Sequence, residues 1–148
     1  LMKNSLYKLL LPLVSIVIIG CEGYTYTLNE QPVFSSEKLF SNFNITDTAL
    51  KSCVDQAIFD QKAIRANQLT HLNCSNAGIS KLSGLETFTG LTHVNLNENV
   101  LVEIKPLLFL SQLQVVTLEA NHQLLCSDAE QLRTQMSGSI KLPIHCLR

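Results

Sequence analysis

Apolar residues return along this chain on more than one beat, and the changes of beat mark its elements. Leu69, Leu91 and Leu113 each open the same phrase: Leu69-Thr-His-Leu72-Asn-Cys74, Leu91-Thr-His-Val94-Asn-Leu96 and Leu113-Gln-Val-Val116-Thr-Leu118, at intervals of 91−69 = 22 and 113−91 = 22. Inside each phrase the pairs Leu72/Cys74, Val94/Leu96 and Val116/Leu118 alternate with their neighbours, as a strand with one buried face requires. Three such strands in register make a short parallel sheet with a spacing of about 4.8 Å. Between the phrases the beat is three: Ile79, Leu82, Leu85, Phe88, then Leu101, Ile104, Leu107, Leu110. That interval predicts tight, 3-10-like returns rather than α-helix.

Upstream, Leu50, Cys53, Val54, Ala57 and Ile58 fall at i, i+3, i+4, i+7 and i+8, one stripe of a helix, with Lys51, Ser52, Asp55 and Gln56 opposite. Thr46 or Asp47 can cap its first turn through a side-chain oxygen. Downstream of Asn121 the phrase decays. Ser127-Asp-Ala-Glu130 reads as a capping box opening a helix through Leu132 and Met136, which Gly138 ends. Ile140, Leu142 and Ile144 then alternate as a last strand.

The 22-residue period with this apolar spacing resembles the leucine-rich repeats of internalin-like bacterial proteins. The resemblance implies an α/β fold: a short solenoid with a parallel β-sheet on its concave face and 3-10 or irregular returns on its convex face. It would carry a helical N-terminal cap and a helix–strand C-terminal cap, with repeats near 69–90, 91–112 and 113–126. In that family an asparagine at the slot held here by Asn99 and Asn121 turns inward and bonds the backbone where the strand ends. Ala77 takes the slot in the first repeat, and Asn76, one residue early, is the expected substitute.

The N-terminus is of another kind. Lys3 and Lys8 precede a short apolar run, Leu9 to Ile19, too short for a membrane span and suited to a secretory signal. The run closes on Ile18-Ile19-Gly20-Cys21, which resembles the lipobox of bacterial lipoproteins. That resemblance implies cleavage after residue 20, lipid attachment at Cys21 and a membrane anchor there. Glu22 is not the aspartate that retains such proteins in the inner membrane, which points to the outer membrane of a Gram-negative cell, facing periplasm or surface. Residues 21–43 then read as a tether whose later apolar residues, Phe34, Leu39, Phe40 and Phe43, can pack on the first cap, and residues 44–148 as the repeat domain.

Export places the chain in an oxidising compartment, where disulfides persist. With Cys21 set aside, Cys53, Cys74, Cys126 and Cys146 allow three pairings. Proximity and repeat geometry favour Cys53–Cys74 and Cys126–Cys146, each closing a loop of about twenty residues and stabilising by about 3 kcal/mol. Cys74 also fills the core slot of Leu96 and Leu118. The full chain carries a formal charge of −1, and loss of the two N-terminal lysines makes it −3, with no basic stripe to hold nucleic acid.

The outward positions form polar columns across the sheet: Thr70, Thr92 and Gln114; His71, His93 and Val115; Asn73, Asn95 and Thr117; Ser75, Asn97 and Glu119. These are the candidate partner-binding residues. His71 and His93 are neighbours in register, close enough to share a metal or sense acid. Duplication alone accounts for two histidines on a solvated sheet, so no metal or other cofactor is assigned. No His-Glu-x-x-His, Gly-x-Ser-x-Gly, phosphate-cradling glycine loop or Cys-x-x-Cys is present. The expectation is a non-enzymatic envelope protein that recognises a protein or a glycan through its sheet. The rival is a periplasmic inhibitor or immunity-type lipoprotein that blocks an enzyme or toxin.

Overall fold

The computed structural model describes residues 27–28, 31–32 and 38–147. The chain divides into two compact units, Leu1–Ser36 and Glu37–Arg148. The expected signal segment 1–20, the lipid site Cys21 and most of the tether lie outside the described residues. Within the first unit, β1 (Thr27–Leu28) pairs antiparallel with β2 (Gln31–Pro32).

The second unit is α/β. Helix α1 (Thr48–Gln61) precedes β3 (His71–Asn73), β4 (His93–Asn95) and β5 (Val115–Thr117); α2 (Cys126–Gln135) and β6 (Ser139–Lys141) follow. The last four strands form one parallel sheet in the order β3-β4-β5-β6. Register follows the 22-residue period: His71 pairs with His93 and His93 with Val115, as Leu72 does with Val94 and Val94 with Val116. Short 3-10 turns at Leu85–Thr87 and Lys105–Phe109 make the returns. All eight apolar residues of the three-beat, Ile79 to Phe88 and Leu101 to Leu110, are buried with Leu72, Val94 and Val116 between returns and sheet.

Helix α1 starts where Asp47 Oδ1 accepts hydrogen bonds from the Ala49 and Leu50 N–H groups at 3.1 and 3.0 Å, and it buries Leu50, Val54 and Ile58. Its last residue closes the sheet. Gln61 Oε1 accepts from the N–H groups of Thr70 (3.1 Å) and His71 (3.2 Å), while Nε2 donates to the His71 carbonyl at 2.6 Å. One side-chain amide thus stands in for a missing neighbouring strand along β3. The Cys53–Cys74 disulfide ties the same helix to the end of β3, and Cys126–Cys146 ties the start of α2 to the turn after β6, with Cα separations of 5.9 and 5.2 Å.

Asn99 and Asn121 are buried, and each clamps two turns. Asn99 Nδ2 donates to the carbonyls of Leu96 (3.0 Å) and of Cys74, one unit earlier (2.9 Å), while Oδ1 accepts from the Ile79 N–H at 2.9 Å. Asn121 repeats the pattern on Leu118, Leu96 and the Leu101 N–H. The first turn is therefore held by Asn99, and Asn76 does not substitute. Asn76 is exposed with φ 53°, matching Glu98 (56°) and Ala120 (59°) at 22-residue steps. Its part is a left-handed bend that asparagine tolerates well.

Leu39, Phe40 and Phe43, the later apolar residues of segment 21–43, pack on the core: the Phe43 and Phe40 rings meet Phe88 edge-on at 5.2 and 6.0 Å. Two further expectations are corrected. The Ser127/Glu130 capping box does not form, because α2 begins earlier, at Cys126 after Leu125, with no side-chain cap. Glu130 instead binds Arg133, and the buried Asp128 accepts from the Ile104 N–H at 3.4 Å. Ile144 is 85 % exposed and does not extend β6, since Pro143 has no N–H for the ladder and the chain turns into the 3-10 segment Ile144–Cys146.

Candidate functional site

The outward face of the sheet is the floor of a groove of about 1010 Å³, and α1 is one of its walls. Of the residues singled out from sequence, His71, Asn73, His93, Asn95, Asn97 and Thr117 line it. Thr70, Ser75, Thr92, Gln114 and Glu119 do not; several of them instead support residues that do. The wall was missed. Ser52, Gln56 and Asp60 stand on α1 at four-residue steps, as do Cys53, Ala57 and Gln61. The pattern of α1 revealed its solvated face, but nothing local said that this face looks across the sheet. Val115 and, from β6, Lys141 complete the floor.

The floor is knitted across strands. Asn95 Nδ2 donates to Asn73 Oδ1 at 2.9 Å, and Asn95 Oδ1 accepts from the Thr117 hydroxyl at 2.8 Å. Asn97 Oδ1 accepts from the Glu119 N–H at 2.8 Å, and its Nδ2 donates to Glu119 Oε2 at 3.3 Å. Asn95 and Asn97 are thus half structural, their acceptors committed to neighbours. Asn73 and Gln56 are freer: no donor bond from Asn73 Nδ2 is formed among the described residues, while Gln56 donates only to Asp60, at 2.7 Å.

The two histidines stack face to face, centroids 4.6 Å apart and planes 14° from parallel. His71 Nδ1 lies 2.8 Å from the Thr70 hydroxyl and His93 Nδ1 2.9 Å from the Thr92 hydroxyl. The Thr92 hydroxyl also reaches the Thr70 carbonyl at 3.0 Å, which can only accept. Its proton goes there, not to the imidazole, the reverse of what activation of a nucleophile needs. The groove's cysteine, Cys53, is in a disulfide. Asp60 on the wall and Lys141 on the floor are its charged lining groups; the rest divides between uncharged hydrogen-bonding side chains and apolar ones, Ala49, Ala57, Leu72, Val94 and Val115 among them.

One cluster elsewhere brings three metal-ligand atoms within 4.8 Å of one another: Cys126, His145 and Cys146. Its two sulfurs are bonded to each other, and His145 Nε2 donates to the Leu124 carbonyl at 3.1 Å. No protein-family model matches the chain, and no curated protein matches it.

Proposed function

We propose that this chain is a lipid-anchored, non-enzymatic recognition protein of a bacterial envelope. In this reading the second unit is a short leucine-rich repeat solenoid. α1 is its N-terminal cap, α2 with β6 its C-terminal cap, and the sheet its concave face. The observation that carries the reading is the groove: an outward sheet face in 22-residue register, walled by α1, lined by uncharged hydrogen-bonding side chains interleaved with apolar ones. Such a surface recognises a protein or a glycan and has little to offer nucleic acid, for want of a basic stripe. The buried Asn99 and Asn121 clamps support the family reading, since they occupy the slot where that family keeps its asparagine. The two disulfides support an exported protein, and the lipobox-like Ile18-Ile19-Gly20-Cys21 supports a lipid anchor at Cys21.

The test is in-cell crosslinking from a photoreactive side chain at Asn73, at Gln56, or at Ser83 as a control ahead of the Leu85–Thr87 return. Asn73 and Gln56 are preferred to Asn95 and Asn97, whose amides hold the floor together. The same trapped species from positions 73 and 56, and none from 83, is the expected result. Equal trapping at all three, or at 83 alone, places the partner off the groove.

A further inference from the structure

We propose that His71 and His93 form a binding site for a divalent transition-metal ion of the imidazole-preferring kind, Cu(II), Ni(II) or Zn(II), on the groove floor. The site goes beyond the partner reading and does not depend on it.

The argument begins with proton placement. The Thr92 hydroxyl has a single hydrogen and two contacts, the Thr70 carbonyl at 3.0 Å and His93 Nδ1 at 2.9 Å. Both are hydrogen bonds only if the hydroxyl donates to the carbonyl and the imidazole donates from Nδ1. The first repeat copies this. The Thr70 hydroxyl lies 3.3 Å from Gln61 Oε1 and 2.8 Å from His71 Nδ1. Gln61 Oε1 is fixed as an acceptor by two backbone N–H groups, so Thr70 donates to it and His71 donates to Thr70. Each neutral ring therefore carries its hydrogen on Nδ1 and a bare lone pair on Nε2.

That is the state in which imidazole ligates a metal, and ligating histidines are commonly oriented by a hydrogen bond from the other ring nitrogen. Here the orienting shell is already built, twice, from the same Thr-His dipeptide one 22-residue period apart. Strand register sets the rings beside each other, 4.6 Å between centroids, and both line the groove. Stacked 14° from parallel, the rings hold their in-plane lone pairs side by side, so both must pivot toward a shared ion, whose metal–nitrogen bonds of about 2.0–2.1 Å set the two nitrogens about 3 Å apart. Water fills the remaining positions, because Asp60, the carboxylate that lines the groove, forms no ligand cluster with the two rings. A paired-imidazole donor set favours Cu(II), Ni(II) and Zn(II) and disfavours Mg(II) and Ca(II), which take oxygen. The Cys126–His145–Cys146 cluster offers no rival while its sulfurs are joined.

The experiment is calorimetric titration of the full, disulfide-intact chain with Zn(II), Cu(II) and, as a control, Mg(II). One transition-metal ion per chain is expected, and none for Mg(II). His71→Ala and His93→Ala each weaken binding at least about tenfold, and Thr92→Val, which removes only the orienting hydroxyl, about tenfold as well. His122→Ala and His145→Ala leave it unchanged. Nitrogen-15 spectra of the metal-free wild type report Nδ1-bound hydrogen on both rings and do not depend on any variant folding. Absence of binding, binding that survives loss of either His71 or His93, or hydrogen on Nε2 of either ring overturns the proposal.

Discussion

Asn121 shows how much a single side chain carries where strands end. Its Oδ1 accepts from the Leu101 N–H, and its Nδ2 donates to the carbonyls of Leu96 and Leu118, all in the core. Alanine there strips the Leu101 N–H and the Leu118 carbonyl of that partner, at about 1–3 kcal/mol for each left unsatisfied, while the Leu96 carbonyl keeps its bond from Asn99. Asn121→Ala is expected to lower unfolding free energy by about 2–6 kcal/mol in urea denaturation. Ala77→Asn, at the same slot of the first unit, is expected to stay within about 0.5 kcal/mol, because that position is exposed and α1, not another strand turn, precedes it. Sequence periodicity was enough to place the asparagines and the three strands, since both repeat at 22 residues. It did not separate Asn76 from Asn99, because a left-handed bend and an inward clamp both favour asparagine and only coordinates tell them apart.

At the scale of elements, α1 joins its neighbours through Asp47. One carboxylate oxygen caps the helix, and the other accepts from the Ser80 N–H (2.9 Å), the Ser80 hydroxyl (3.0 Å) and the Lys81 N–H (3.1 Å). Partial burial opposes ionisation of this group, but the bonds from Leu50, Ser80 and Lys81 outweigh it and hold its pKa below the ordinary 3.8. A depressed carboxylate stabilises the fold at pH values above its unfolded pKa, and the contribution fades as pH falls through the lower folded value. Wild type is therefore expected to exceed Asp47→Asn in urea midpoint at neutral pH, with the gap closing below pH 3.8. A gap independent of pH would show that the charge is not what Asp47 contributes. The existence of α1 was legible from its apolar stripe, as was the pairing of Cys53 with Cys74. Its role as a groove wall was not, because amphipathicity says which face is buried and nothing about what the other face looks at. At the other end, a local Ser-x-x-Glu signature lost to tertiary packing: α2 starts at Cys126, one residue ahead of the expected cap, and Glu130 turns to Arg133.

Across the whole second unit, the sheet has two unlike margins. At the start of β3 Gln61 pairs the Thr70 N–H and both backbone groups of His71; along β6 no side chain plays that part among the described residues. Gln61→Ala is expected to cost about 1–2 kcal/mol, since the freed groups are exposed and regain water. It should also introduce concentration-dependent self-association in size-exclusion chromatography, because an unpaired strand margin is a template for another chain. A variant that stays monomeric at every concentration would show that α1 alone shields that side.

The Gln61 amide also gives the sheet a polarity. With one flank plugged by a glutamine from the chain itself, any further strand can join only beyond Lys141, so growth by strand pairing is one-way, and two copies cannot zip together through their β3 flanks while that plug is seated.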